Sequence, residues 1–283
     1  MAKISGRPHG RAATRLAAAA ITAALVGTGA SAFAAEVGDA PMYGITGVDS
    51  TGASYYYAPN GEGGLQSRVP LDTGWKDINF LGLVDHNADS IADGRWQTST
   101  SGDLSYAAND NSPLKNVGHG WGIYNKLVSA GNLGGAEGGD LLGRDASGNL
   151  FLYLGYDDGT VTNRYSVGGG WNVYTQIAGN GDLTGDGKSD IVARDTSGVL
   201  WLYKGTGDYK APFAARTKVG AGWNTYNTVF AAGDIDLDGK ADLVGRDAAG
   251  ALYLYEGTGS AAAPFGSRVK IGTGGWNSYR LIF

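Results

Sequence analysis

The sequence predicts an all-β fold: a five-bladed β-propeller closed by the C-terminal strand and preceded by a cleaved signal peptide. Three observations predict it. A unit of about fifty residues repeats along the chain, each unit alternates in strand fashion between Gly and Asp turns, and the last strand has no blade of its own.

The repeat is marked by Gly-Trp at Trp75, Trp121, Trp171, Trp223 and Trp276, with gaps of 46 to 53 residues. In four cases the pair opens GW-x-x-Y. A second landmark, the turn glycine at 52, 102, 148, 198 and 250, keeps the same period, and an Asp precedes it by three residues in four units (Asp49, Asp145, Asp195, Asp247). Each unit reads as four strands. In the last full passage these are NTVFAAGD, ADLVGRD, ALYLYEG and SRVKIG. The third strand alternates Leu252 and Leu254 with Tyr253 and Tyr255, so both of its faces are apolar or aromatic, as stacked blades require.

The first unit, from about Pro41, has no first strand and no acidic loop, whereas NSYRLIF after Trp276 is a first strand without a blade. Residues 277–283 are therefore expected beside 42–49, completing blade 1 and removing the free sheet edge.

Lys3, Arg7, Arg11 and Arg15, followed by a small apolar run ending in Ala32, Phe33 and Ala34, read as a secretory signal over residues 1–34. Residues 35–40 then form a short N-terminal segment, and 41–283 form the propeller. The expected location is extracellular. Losing the leader removes four bases and takes the formal charge from -5 to -9. With no basic cluster and no other long apolar run, neither a nucleic acid nor an inserted membrane is expected as partner, and the chain is expected to be a monomer. There is no cysteine, so stability has to come from core, ring closure or metal.

Metal is suggested by GDIDLDGKAD. Asp234, Asp236, Asp238 and Asp242 occupy positions 1, 3, 5 and 9 of an oxygen-rich loop, Gly239 stands where the backbone must turn, and Lys240 offers its carbonyl. The copy one unit earlier has Asp182, Thr184, Asp186, Lys188 and Asp190, and the blade 2 copy has Asp85, Asn87, Asp89 and Asp93 with Ser90 in the glycine position. The blade 3 copy keeps only Asn132 and Asp140. Two Ca2+ sites and a third candidate are expected, with the loop at 132–140 empty, so that replacing Asp140 should matter less than replacing Asp238.

This pattern resembles the FG-GAP or VCBS-type repeat. The resemblance implies calcium in the loop between the first two strands of a blade, here on the aspartates just named. Five blades also give an overall shape similar to the tachylectin-type lectins. Without a position-12 Glu or paired helices, the loops are read as staples rather than sensors.

Catalysis is hard to assemble from His86, His119, Glu36, Glu62, Glu137 and Glu256. A Ser-His-Asp set with His119 or a carboxylate pair remains a formal alternative. The favoured function is lectin-like binding of a glycan or surface polysaccharide, with an extracellular protein as the other partner class. Its candidate residues are Trp121, Tyr124, Trp171, Asn172, Tyr174, Trp223, Asn224, Tyr226, Trp276, Asn277 and Tyr279, the tryptophans being either ligand-facing or core. Arg144, Arg194 and Arg246 each precede a turn Asp and read as clamps on that turn or as ligand anchors; Val48 and Gln97 fall near the slot in the first two units.

Overall fold

Gly-Trp repeats because the backbone requires it. Gly74, Gly120, Gly170, Gly222 and Gly275 all lie at φ between 82° and 99°, a region where a Cβ is penalised. Each starts a single 3-10 turn that the sequence pattern did not reveal. The Trp N–H then donates to the turn glycine of the preceding blade, as in Trp171 to Gly148 at 2.9 Å and Trp121 to Gly102 at 2.8 Å. The two sequence landmarks thus meet at every blade junction.

The computed structural model describes residues 40–136 and 138–283. The predicted leader, the segment before Ala40, and Glu137 lie outside the described residues. Blade 1 contains β1 (Ile45–Asp49), β2 (Ser54–Tyr57) and β3 (Val69–Pro70). Blade 2 contains β4 (Ile78–Val84), β5 (Gly94–Ser99), β6 (Leu104–Ala108) and β7 (Lys115–Gly118). Blade 3 contains β8 (Tyr124–Ser129), β9 (Leu141–Asp145), β10 (Leu150–Tyr153) and β11 (Tyr165–Gly168). Blade 4 contains β12 (Tyr174–Ala178), β13 (Ile191–Asp195), β14 (Leu200–Tyr203) and β15 (Thr217–Gly220). Blade 5 contains β16 (Tyr226–Gly233), β17 (Asp242–Asp247), β18 (Leu252–Tyr255) and β19 (Val269–Gly272), and the chain returns to blade 1 as β20 (Tyr279–Ile282).

The ring closes as expected. β20 pairs antiparallel with β1, with Gly47 opposite Ile282 and Val48 opposite Leu281, giving blade 1 the order β20-β1-β2-β3. Thr46 and Phe283 exchange two further backbone hydrogen bonds, at 2.8 and 3.1 Å. Because the two inner strands of blade 1 come from opposite ends of the described chain, no acidic loop joins them. Residues 40–42 run there instead: the Pro41 carbonyl accepts the Asp234 N–H at 2.7 Å, and the Met42 N–H donates to Ser90 at 2.9 Å.

The core is divided among the five seams. Trp171 packs with Leu142, Leu150 and Leu152 of blade 3 and with Ile177 and Ile191 of blade 4, and the other Gly-Trp tryptophans fill the corresponding seams. In the third strands the leucines are fully buried and the alternating aromatics half-buried, as the two-faced pattern predicts.

Candidate functional site

The acidic loops share one backbone. Positions 4 and 6 are left-handed at Gly185 and Gly187, at Leu237 and Gly239, and at Ala88 and Ser90, with φ from 58° to 85°. Ser90 therefore adopts the turn that glycine would, and the blade 2 loop keeps its shape at a local cost of about 1–2 kcal/mol for each non-glycine residue. The first acid of each loop holds this turn. Asp234 accepts from the Gly239 N–H at 2.8 Å, Asp182 from Gly185 at 2.7 Å and Gly187 at 2.6 Å, and Asp85 from Ala88 at 2.7 Å and Ser90 at 2.8 Å.

In blade 5 the ligand oxygens of Asp234, Asp236 and Asp242 all lie within 4.8 Å of one another. Burial pushes the Asp234 carboxyl up to about 6 and Asp242 up to about 7, and their charges and that of Asp236 reinforce the shifts. A buried, mutually repelling oxygen set of this kind fits a hard divalent cation, which would neutralise it. This cluster can chelate a metal. Asp238, expected as a fourth ligand, pairs instead with the Lys240 ammonium.

The other loops gather their acids less closely. In blade 4, Asp186 pairs with Lys204 at 3.0 Å and its other oxygen accepts from Lys188 N–H, while Asp182 is occupied by the turn and the Thr184 side chain hydrogen-bonds Asp190. In blade 2, Asn87 accepts from Asp89 N–H at 2.9 Å and donates to Asp93 at 3.3 Å.

The ninth-position acid has a role that the ligand pattern did not disclose. Asp140 is fully buried and accepts from Leu133 N–H at 2.9 Å, Gly134 N–H at 2.7 Å and Gly155 N–H at 3.1 Å, and Asp190 and Asp242 repeat the latch to Gly205 and Gly257. Asp140 thus ties the loop to the end of the third strand without any ion.

All five Gly-Trp tryptophans are buried, at 2 to 8% exposure. One face of each of four indoles is covered by a tyrosine, with ring centroids 4.2 Å apart for Trp276 and Tyr57, 4.5 Å for Trp121 and Tyr153, 4.7 Å for Trp171 and Tyr203, and 4.5 Å for Trp223 and Tyr255. Of the two roles left open for these tryptophans, burial favours packing. Tyr174, Tyr226 and Tyr279 are buried with them and Tyr124 is half-buried. Asn172, Asn224 and Asn277 are exposed, and the last two donate to Thr196 and Ala248 in the preceding blade's turn at 3.2 and 2.9 Å.

At four seams the same polar group recurs. The hydroxyls of Tyr124 and Tyr153 meet, as do those of Tyr174 and Tyr203 at 2.6 Å, Tyr226 and Tyr255 at 2.8 Å, and Tyr279 and Tyr57 at 2.6 Å. An exposed arginine donates to each pair: Arg164, Arg216, Arg268 at 2.9 Å and Arg68 at 3.3 Å. The guanidiniums lie 4.1 to 4.7 Å over Phe151, Trp201, Tyr253 and Tyr55. Beside the blade 1 copy is a cavity of about 250 Å3 lined by Tyr57, Arg68, Gly275, Trp276 and Tyr279. Blade 2 has Ile78 and Ala107 in place of the tyrosines. These arginines escaped the sequence reading, although Arg164, Arg216 and Arg268 each stand four residues before the glycine that ends the fourth strand.

Arg144, Arg194 and Arg246 do not clamp their neighbouring aspartates. They reach into the next blade, where Nη1 donates to the carbonyls that flank its 3-10 turn: Trp171 and Tyr174, Trp223 and Tyr226, Trp276 and Tyr279. In blade 2 the slot is held by Thr98, opposite Phe80, rather than by Gln97. In blade 1 it is held by Val48, and Arg280 on the adjoining strand does the work, donating to Ile78 at 2.7 Å and to Trp75.

Among the described residues, His86 and His119 assemble no triad. His86 is buried against Trp96 and Tyr106, and His119 is exposed with Nδ1 2.6 Å from Asp103. Ser101 donates to the other oxygen of Asp103, so the carboxylate stands between serine and imidazole and the imidazole is not bonded to the hydroxyl it would have to activate. Among the described residues no helix is long and apolar enough to cross a membrane.

A family model described as FG-GAP-like repeat matches residues 182–245, which span the acidic loops of blades 4 and 5. No curated protein matches the chain. Among solved structures, similarity extends to the BP39L lectin from Burkholderia pseudomallei, with 13% identity and a TM-score of 0.48 over 85% of this chain and 72% of that one. It extends also to PorZ, a bacterial surface component of the type-IX secretion system of Porphyromonas gingivalis, with 13% identity and a TM-score of 0.38 over 77% of this chain and 28% of that one. Human WBSCR16 has 10% identity and a TM-score of 0.37 over 80% of this chain and 63% of that one. The protein is a five-bladed β-propeller related to FG-GAP-type repeats.

Proposed function

We propose that the protein is an exported, calcium-stapled binding module that recognises glycans at its blade seams. The observation that carries this reading is the fourfold recurrence of an exposed arginine held on a tyrosine hydroxyl pair. Fixed donors at the surface suit a ligand made of hydroxyl groups, and four weak sites on one rigid body gain from avidity on a dense polysaccharide. Ring stacking on the Gly-Trp tryptophans plays no part, since those faces are covered. Export rests on the basic and apolar leader at 1–34, with 41–283 as the mature propeller. Calcium is assigned first to Asp234, Asp236 and Asp242, then to the loops of Asp182 and Asp85.

Retention on a panel of immobilised polysaccharides tests the reading. Replacing Arg68, Arg164, Arg216 and Arg268 by Ala one after another should lower retention stepwise, with melting nearly unchanged because each guanidinium is exposed. Calorimetric stoichiometry should approach four per chain. Retention that survives all four replacements, or a stoichiometry of one, would shift the reading to a single protein-binding face.

A further inference from the structure

The inner strands enclose an axial cavity of about 520 Å3. Its walls are mixed: Phe80, Leu81, Ile177, Val229, Phe230 and Ile282 supply apolar surface, and Asn79, Thr98, Asn125, Ser129 and Asn180 line it beside them. One charged side chain lines it among the described residues, that of Lys126. Lys126 stands opposite Arg144 in the β8-β9 ladder. Lys126 is half-buried, and among the described residues no carboxylate lies within ion-pair distance of its ammonium.

The surroundings deepen the imbalance. Arg144 gives its Nε to the Asn125 amide at 2.9 Å and its Nη1 to backbone carbonyls, and Arg194 gives its Nε to the Thr175 hydroxyl at 3.0 Å and its Nη1 to carbonyls. All these acceptors are neutral, so the charges of both guanidiniums act on Lys126 without being offset by them. Burial first, and then the charges of Arg144 and Arg194, hold the Lys126 ammonium down to about 8. A bare inorganic ion would find one charged donor and leave the apolar side chains of the wall unused. An anion carrying an apolar body would use both.

We propose that the axial cavity binds a small organic carboxylate, with its anionic end on Lys126 Nζ and its body against the apolar inner strands. The site goes beyond the seam reading and fails or stands apart from it, because the arginines at the seams do not line this cavity.

Hexanoate is the probe, titrated into the full protein by calorimetry. Saturable binding is expected, with Lys126→Met weakening it at least tenfold and Lys126→Arg retaining it. Hexanol and inorganic phosphate should each bind the native protein at least tenfold more weakly than hexanoate. If Lys126→Met does not fold, the rate of Lys126 acetylation in the native protein, read by peptide mass spectrometry, should fall severalfold when hexanoate is added. Absence of saturable hexanoate binding, equal binding by Lys126→Met, equal binding of hexanol or phosphate, or unprotected acetylation would each overturn the proposal.

Discussion

Asp140 Oδ1 accepts the Gly155 N–H at 3.1 Å, joining the acidic loop of blade 3 to the end of its third strand. The other oxygen takes the N–H groups of Leu133 and Gly134. Asp140→Ala leaves three buried donors without an acceptor, so a loss of at least about 3 kcal/mol is expected in urea unfolding. An unchanged midpoint would show that the latch is dispensable.

The same residue gives a pH signature. Burial raises the folded carboxyl from 3.8 to about 6, against the pull of its three N–H partners. The folded state therefore binds the proton more tightly than the unfolded chain. The resulting stabilisation is complete below about pH 4 and lost as pH rises through 6, with an upper size of about 3 kcal/mol. Urea midpoints measured with chelator from pH 4 to 7 should fall more steeply for the native chain than for Asp140→Asn.

Calcium should raise the melting temperature, by an amount equivalent to about 2.7 kcal/mol at a hundredfold excess over Kd. Asp236 is the clean probe, because it is partly exposed and its one backbone partner, Asp238 N–H, is shared with Asp234. Asp236→Ala should leave the chelated protein nearly unchanged while removing most of the increment supplied by the blade 5 loop. Coincident melting curves with calcium and with chelator would end the staple account.

Trp171→Ala should cost about 3–5 kcal/mol, as expected for a large aromatic taken from a packed seam. A loss below about 1 kcal/mol, measured by denaturant unfolding, would place the indole outside the core.

Arg280→Met should loosen the joint between blades 1 and 2. Removing charge-assisted donors from the Trp75 and Ile78 carbonyls is expected to cost about 1.5–3 kcal/mol. Hydrogen exchange should accelerate first at residues 75–80. Uniform acceleration around the ring would contradict a local role.

Much of this architecture was legible because its causes are local. The left-handed glycine before each tryptophan, the turn glycine it bonds to, and the leucine-aromatic alternation of the third strands all leave fixed spacings in the chain. Closure was legible because β20 lacked a blade and β1 lacked an inner neighbour. Arg280 was not, since it replaces an arginine of the second strand from a position on the first, and only the fold brings those positions together. The Asp140 latch was hidden for a related reason: its partners are backbone N–H groups, and backbone groups leave no trace in residue identity. The tryptophan question turned on which surface the next blade covers, which no spacing encodes.

The pairing of Gly47 with Ile282 also sets an order of events during synthesis. Blades 2 to 5 are built from consecutive strands and can form as the chain lengthens, whereas the inner half of blade 1 waits for residues more than two hundred positions away. A contact so distant in sequence forms slowly. Until it does, β1 and β20 each present an unpaired edge to any other nascent copy. Closing the ring thus removes two exposed strand edges in one step.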